Sequence, residues 1–176
     1  KKAGVRPVLS DGIPSSFDQI TDYDAIVIAL KSRTQETHRA VQDSLDALQW
    51  LRDHGAQKLY LKYCSTFDST PTGNIGPVAD ATMERFSVPY PILAPALLPN
   101  GRTVRDGTLF VNGTPLAESH MRHHPLTPMW DSRIAELRRR QSAYPCFPIP
   151  ESFYSESAAL FSQISLWPQQ YSHFYL

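Results

Sequence analysis

The sequence predicts an α/β fold: a three-layer α/β/α domain around a mostly parallel sheet, with an inserted β-hairpin. Three observations carry this expectation. Apolar segments of strand length alternate with segments of helical periodicity in the order strand, helix, strand, helix, strand, the pattern of βαβ units. The run Ala25-Ile26-Val27-Ile28-Ala29-Leu30 is apolar on both faces and rich in β-branched residues, as a buried parallel strand is. Asn112-Gly113 lies between two apolar segments, a strong signal for a type I′ hairpin turn. A length of 176 residues suits one domain with a real core.

Taken in order, Val5–Leu9 is a short apolar stretch closed by the turn signal Ser10-Asp11-Gly12. The strand at 25–30 follows. Residues 35–54 read as a helix: Val41, Leu45 and Leu48 fall at i, i+4 and i+7, with Ala40, Ala47 and Leu51 beside them. Thr34 is placed to cap its start and Gly55 to stop it. Lys58–Cys64 reads as a second strand and 75–86 as a second helix, with Ile75, Val78, Ala79, Thr82 and Phe86 on one stripe. Tyr90–Leu98 holds a third strand bracketed by prolines, Thr108–Leu116 is the hairpin, and Asp131 is placed to cap an Arg-rich helix over 132–141. A weak helical pattern recurs near 156–166.

Lys and Arg number 17, as do Asp and Glu. Zero net charge offers no bulk attraction to nucleic acid or to an anionic membrane. No apolar run has membrane-spanning length, and the start at Lys1-Lys2-Ala3-Gly4 has no signal-peptide core. The two cysteines, Cys64 and Cys146, make neither a disulfide framework nor a zinc spacing, so a reducing cytoplasm is the expected compartment. Neutrality hides an asymmetry. Residues 145–176 contain no Lys or Arg and eight aromatics, whereas 1–144 carry 17 basic and 15 acidic groups. The domain expectation follows: 1–144 as one unit and 145–176 as a divergent aromatic-rich tail.

Ligands of open α/β sheets bind beyond the carboxyl ends of strands. The first long strand runs into Lys31-Ser32-Arg33-Thr34 ahead of a helix, where two cations, two hydroxyls and a helix N-terminus can receive an anion. Solvated loop charges beside a helix cap are the competing reading. The second strand runs into Cys64-Ser65-Thr66-Phe67-Asp68-Ser69-Thr70. Its hydroxyls suit a polyhydroxy ligand and Asp68 can orient or deprotonate a hydroxyl; a simple turn is the competing reading. No Walker A loop and no Gly-x-Gly-x-x-Gly occurs. His120, His123 and His124 lack standard metal-ligand spacing and read as a polar loop. Cys64 has no Cys/His motif to make it a nucleophile and reads as a packed thiol.

The run Tyr63-Cys64-Ser65-Thr66-Phe67-Asp68-Ser69-Thr70-Pro71-Thr72-Gly73-Asn74-Ile75-Gly76-Pro77 resembles the N-terminal domain of the four-carbon acid-sugar kinases, most closely the 3-oxo-tetronate kinase branch. Ala29–Thr34, Asn100-Gly101-Arg102-Thr103-Val104, Leu109-Phe110-Val111 and His124–Met129 with Asp131 match in order and spacing. The resemblance covers about residues 4–141. It implies an ATP- and Mg²⁺-dependent kinase that phosphorylates a hydroxyl of 3-oxo-tetronate, erythronate or threonate. The acid sugar would lie on this domain and the nucleotide on a C-terminal domain that the sequence does not include. On that basis Lys31, Ser32 and Arg33 would meet the carboxylate. Cys64, Ser65, Thr66 and Ser69 would line the sugar, Asp68 would act as the catalytic base, and Gly101, Arg102 and Thr103 would lie at the cleft.

Two further expectations come from departures. The family's first strand and its Ala-Asp-Asp loop would precede Lys2-Ala3-Gly4-Val5, so this stretch is expected to be inactive alone, or one chain of a split kinase or oligomer. A non-catalytic acid-sugar-binding remnant is the alternative. Past Tyr144 the motifs stop, which suggests a frameshift or gene decay as the tail's origin. Translating the other two frames beyond the codon for Tyr144 tests this: one of them should restore a βαβ pattern, and failure of both removes the idea.

Overall fold

A computed structural model describes residues 4–17, 21–67, 70–150, 162, 164 and 172–175. The chain is mixed α/β with two small parallel sheets and one antiparallel sheet.

Strands β1 (Pro7–Asp11) and β2 (Ala25–Ala29) pair in parallel, with Leu9 opposite Val27. Arg6 grips Asp24 through its backbone N–H (2.9 Å) and two side-chain nitrogens (3.0 and 2.8 Å), and it also reaches Asp22. This fork pins the entrance to the pair and holds the Asp24 carboxyl down to about 2. The parallel pairing agrees with the pattern of residues 25–30, but burial on both faces does not hold. Leu9 is 72% and Val27 47% exposed. The two strands form an isolated pair, and no described residue covers that face. Phe17 ties the unit to the next helix by edge-on contacts with Tyr23 and Trp50.

Helix α1 (Thr37–Asp53) starts at a cap different from the expected Thr34. The Glu36 carboxylate accepts from the N–H groups of His38 and Arg39, both at 3.1 Å, which lowers its pKa. Gly55, at φ +87°, follows its end as expected. Its buried stripe is Ala40, Ser44, Ala47 and Leu48. Val41 and Leu45 are only half-buried. This face packs on helix α2 (Ile75–Phe86), whose buried residues are Gly76, Val78, Ala79 and Met83. Residues 58–64, expected as a strand, have no ladder partner among the described residues, and Lys58, Tyr60 and Lys62 face solvent. The third expected strand shrinks to β3 (Ile92–Leu93).

Strands β4 (Arg102–Arg105), β5 (Thr108–Val111) and β6 (Thr114–Pro115) form an antiparallel meander. Asn112 and Gly113 both have positive φ, 50° and 83°, as a type I′ turn requires. Asp106-Gly107 makes the other turn in the same way, at 47° and 71°. Helix α3 (Ile134–Arg139) is shorter than expected. Asp131 still serves its start, accepting from Arg133 N–H at 2.8 Å and pairing with the Arg133 guanidinium.

The composition break at 144 does not separate the tail from the fold. Strands β7 (Cys146–Pro148) and β8 (His173–Tyr175) complete a parallel sheet of order β3-β8-β7. Of the weak helical stretch near 156–166, only Ser162 and Ile164 are described, both helical; the rest lies outside the described residues. Phe67, Leu109, Val111, Leu116, Met129, Ile134, Leu137 and Tyr175 form the main core. Beside it, Cys146 is pushed up to about 12 by burial.

At the junction of α2, α3 and β8 lies a buried polar cluster. The Asp80 carboxylate accepts from Arg138 Nη2 (2.9 Å), Ser142 Oγ (2.7 and 2.8 Å) and His173 Nε2 (2.8 Å). Arg138 Nε also donates to His173 Nδ1 at 3.2 Å. That bond makes Nδ1 an acceptor and leaves the ring proton on Nε2, facing Asp80. Burial would raise the Asp80 carboxyl, but His173, Ser142 and Arg138 together lower it. Burial also lowers the His173 pKa, so the folded chain keeps this ring neutral. In the unfolded chain the ring has an ordinary pKa of about 6.5. As pH falls through that value, the unfolded state takes a proton the folded state refuses, and stability is lost. Urea denaturation should therefore show stability declining from pH 8 to pH 5, with a shallower slope in His173→Gln. An equal slope in that variant would remove His173 as the cause.

Candidate functional site

Two loops carry the candidate residues, and one side chain joins them. Asn74, at the start of α2, is buried; its Nδ2 donates to the carbonyls of Ser32 (2.7 Å) and Gln35 (2.9 Å). Its Oδ1 accepts from Thr37 Oγ1 at 3.0 Å. An Asn in this position ordinarily caps its own helix, yet here it makes no side-chain cap bond. Its polar atoms go instead to the loop between β2 and α1. The loop 31–36 and the segment 70–74 are thereby brought side by side.

Gln141 fixes the second loop from beneath. Its Oε1 accepts from Gly76 N–H and its Nε2 donates to Thr70 O, each at 2.9 Å. Position 76 must be glycine for this approach, because a Cβ there would run into Arg138 and into the side chain and carbonyl of Gln141.

The predicted residues fall into distinct settings. Lys31 is exposed, Ser32 is half-buried and Arg33 is exposed at the loop tip. Ser65 and Cys64 are half-buried, whereas Thr66 is buried with its hydroxyl 3.0 Å from Cys64 Sγ. Thr66 and Cys64 thus bond to each other and shape the loop. Phe67, at φ +56°, is fully buried and meets Tyr63 edge-on in the core that also holds Leu109 and Val111. This anchor moors the loop to the meander. Asp68 and Ser69 lie outside the described residues.

Gly101, Arg102 and Thr103 sit at the start of β4 rather than on either loop. Gly101 has φ +66°, and Asn112 crowds the space a Cβ would take. Arg102 Nη1 donates to Asn100 O, while its Nε is buried with no partner among the described residues, a donor that a ligand oxygen would satisfy. No hydrogen bond among the described residues joins this triplet to the two loops. Sequence reasoning missed Asn74 and Gln141 as organisers: an Asn before a helix reads as a cap, and a Gln in an Arg-rich helix end reads as surface.

These elements place two polar loops, one after β2 and one before α2, side by side in an α/β domain. The chain belongs to the family of sugar-binding N-terminal domains, whose family model matches residues 1–166. The motif resemblance read from the sequence ends near Tyr144, so the match carries the family through the composition break. A 3-oxo-tetronate kinase of Pectobacterium atrosepticum is 48% identical over 155 residues, covering 88% of this chain and 36% of that protein. The 3-oxo-tetronate kinase of Escherichia coli K12 is 48% identical over 143 residues, covering 81% and 37%. The chain therefore spans about a third of the length of the curated relatives it matches. Among solved structures, a Salmonella typhimurium protein described as a putative tRNA synthase superposes with TM-score 0.93 at 43% identity, covering 99% of this chain and 42% of that one. A Haemophilus influenzae protein superposes with TM-score 0.90 at 38% identity, covering 98% and 42%.

Replacing Asn74 with Ala leaves two carbonyls and a hydroxyl short of partners. The expected cost is about 2–3 kcal/mol. Urea denaturation would measure it, and amide exchange should rise selectively across residues 32–37.

Proposed function

We propose that this chain is the acid-sugar-binding part of an ATP-dependent kinase acting on four-carbon acid sugars: 3-oxo-tetronate, erythronate or threonate. The observation that carries this reading is the Asn74 link, which sets the Lys31-Ser32-Arg33 loop against the hydroxyl-bearing loop 64–74. The curated relatives bear the name of such a kinase.

In this reading Lys31 and Arg33 neutralise the carboxylate, Arg33 as a fork and Lys31 as a point charge. Ser32, Ser65 and Ser69 hydrogen-bond the hydroxyls, and Cys64 and Thr66 hold the loop's shape for them. Arg102 presents its unpartnered Nε to an oxygen of the ligand. Asp68 accepts the proton of the attacking hydroxyl. Phosphoryl transfer depends mainly on positioning and charge neutralisation, which these side chains supply on the acceptor side. ATP is the donor, with Mg²⁺ on its phosphates. Among the described residues no group of three or more His, Cys, Asp or Glu comes together to hold a metal, so the reading places Mg²⁺ with the nucleotide-binding part of the enzyme. It also leaves the chain inactive until that part is supplied. Among the described residues, no helix is long and apolar enough to cross a membrane, which is consistent with a small-molecule enzyme of the cytoplasm.

Calorimetric titration with threonate, erythronate and 3-oxo-tetronate tests the reading. At least one of them should bind, and Arg33→Ala should weaken binding by about tenfold or more, as loss of a charged hydrogen bond does. Heat that is absent for threonate, erythronate and 3-oxo-tetronate alike, or unchanged by the substitution, would exclude acid-sugar binding at these loops. ATP-dependent phosphorylation of any of these sugars by the chain alone would overturn its expected inactivity.

A further inference from the structure

A cavity of about 670 Å³ opens beside the Thr70-Pro71 turn, at the end of the loop 64–74. Its size lies within the range of small-molecule sites and exceeds what a four-carbon acid needs. Two arginines, Arg122 and Arg140, line it together with Thr70, Glu118, Met129 and Trp130. Met129 is buried and forms part of the main core, so it gives the cavity a fixed apolar wall. Arg140 Cζ lies over the Trp130 ring, 4.4 Å from its centroid, which holds a guanidinium in place without neutralising it. Neither Arg122 nor Arg140 has a carboxylate partner among the described residues, in contrast to Arg6, Arg133, Arg138 and Arg139. Glu118 is the one acidic group on the lining. It leaves the site with net positive charge and offers an acceptor to a hydroxyl.

We propose that this cavity is a second anion site, which receives a phosphate ester. Two guanidinium forks match tetrahedral phosphate oxygens, the Thr70 hydroxyl adds a donor, and Glu118 and the Trp130–Met129 wall take the ester's hydroxylated carbon part. The choice of phosphate over another anion rests on the kinase reading, in which both the donor and the product carry one. Thr70 follows Asp68 and Ser69 in the chain, so the site adjoins the acceptor loop.

The test titrates the full 176-residue chain with ATP, with 3-phosphoglycerate as a small phospho-acid, and with threonate. Calorimetry gives the affinities. Tryptophan emission reports the site, with Trp130→Phe assigning the signal. At least one phosphate ester should bind and change Trp130 emission. Arg122→Ala and Arg140→Ala should each weaken it by about tenfold or more, and substitution of the exposed Lys58 by Ala, outside both the cavity and the acid-sugar loops, should leave it unchanged. Binding of ATP alone assigns the site to the donor; binding of 3-phosphoglycerate assigns it to the product. No binding of either, or binding indifferent to both arginines, overturns the proposal. Both arginines are exposed, so their removal leaves the core intact. Threonate keeps the two ideas apart. Threonate binding that survives while the phosphate arm fails removes only this site. The reverse outcome, with erythronate and 3-oxo-tetronate also silent, removes the acid-sugar reading and leaves the anion site standing.

Discussion

Much of the structure depends on a carboxylate that three elements share. Asp80 belongs to α2, Arg138 to α3 and His173 to β8, and all three side chains meet within hydrogen-bond distance. Arg138 and His173 are fully buried. Burying a guanidinium is costly unless a paired charge and further acceptors compensate it, and removal of one partner leaves a buried charge worth about 3–5 kcal/mol of destabilisation. The same guanidinium also donates to Gly76 O at 3.2 Å, in the first turn of α2. Its hold on that turn places Asn74, two residues upstream, and through Asn74 the loop after β2. The candidate site is thus positioned by charges that never touch it.

What could be read from the sequence divides along physical lines. Helix α2 was legible to the residue because its apolar stripe, the turn before it and the proline-rich stretch from Pro89 after it all agree. The Asn112-Gly113 hairpin was legible because positive φ at two successive residues is a chemical demand that few pairs meet. Asp106-Gly107 meets the same demand and went unread, so the meander has one more strand than expected. Residues 25–30 signalled a strand correctly, but apolarity describes a tendency to be covered, and the described chain leaves Leu9 and Val27 uncovered. The strand at 58–64 failed for a related reason: a ladder needs a neighbour, and sequence periodicity does not show whether one is present.

The candidate site divides the same way. Charges and hydroxyls at the ends of strands were visible as residue types, and Lys31, Ser32 and Arg33 do occupy one loop. The side chains that organise the loops were not visible. Asn74 and Gln141 act across long sequence separations, from positions where their residue types have commoner local uses. Thr66 also has a partner within its own loop, its hydroxyl lying 3.0 Å from Cys64 Sγ. Composition alone did not show that parts of the tail pair with the rest of the fold. Loss of Lys and Arg marks a segment entering the interior as readily as one that has drifted from its family, and His173, Phe174 and Tyr175 are all buried.

The position of β8 has a consequence for how the molecule assembles. It is the last strand among the described residues, yet it lies in the middle of its sheet, between β3 and β7. Neither neighbour can pair until residues 173–175 have left the ribosome, and β3 must wait through the synthesis of the meander and α3. Contacts so distant in sequence raise the contact order and slow folding. During that interval Ile92 and Leu93 would be unpaired apolar backbone, the kind of surface that invites association between nascent chains. The helical pair and the meander, built from local contacts, can form first and would hold the gap open for the strand that closes it.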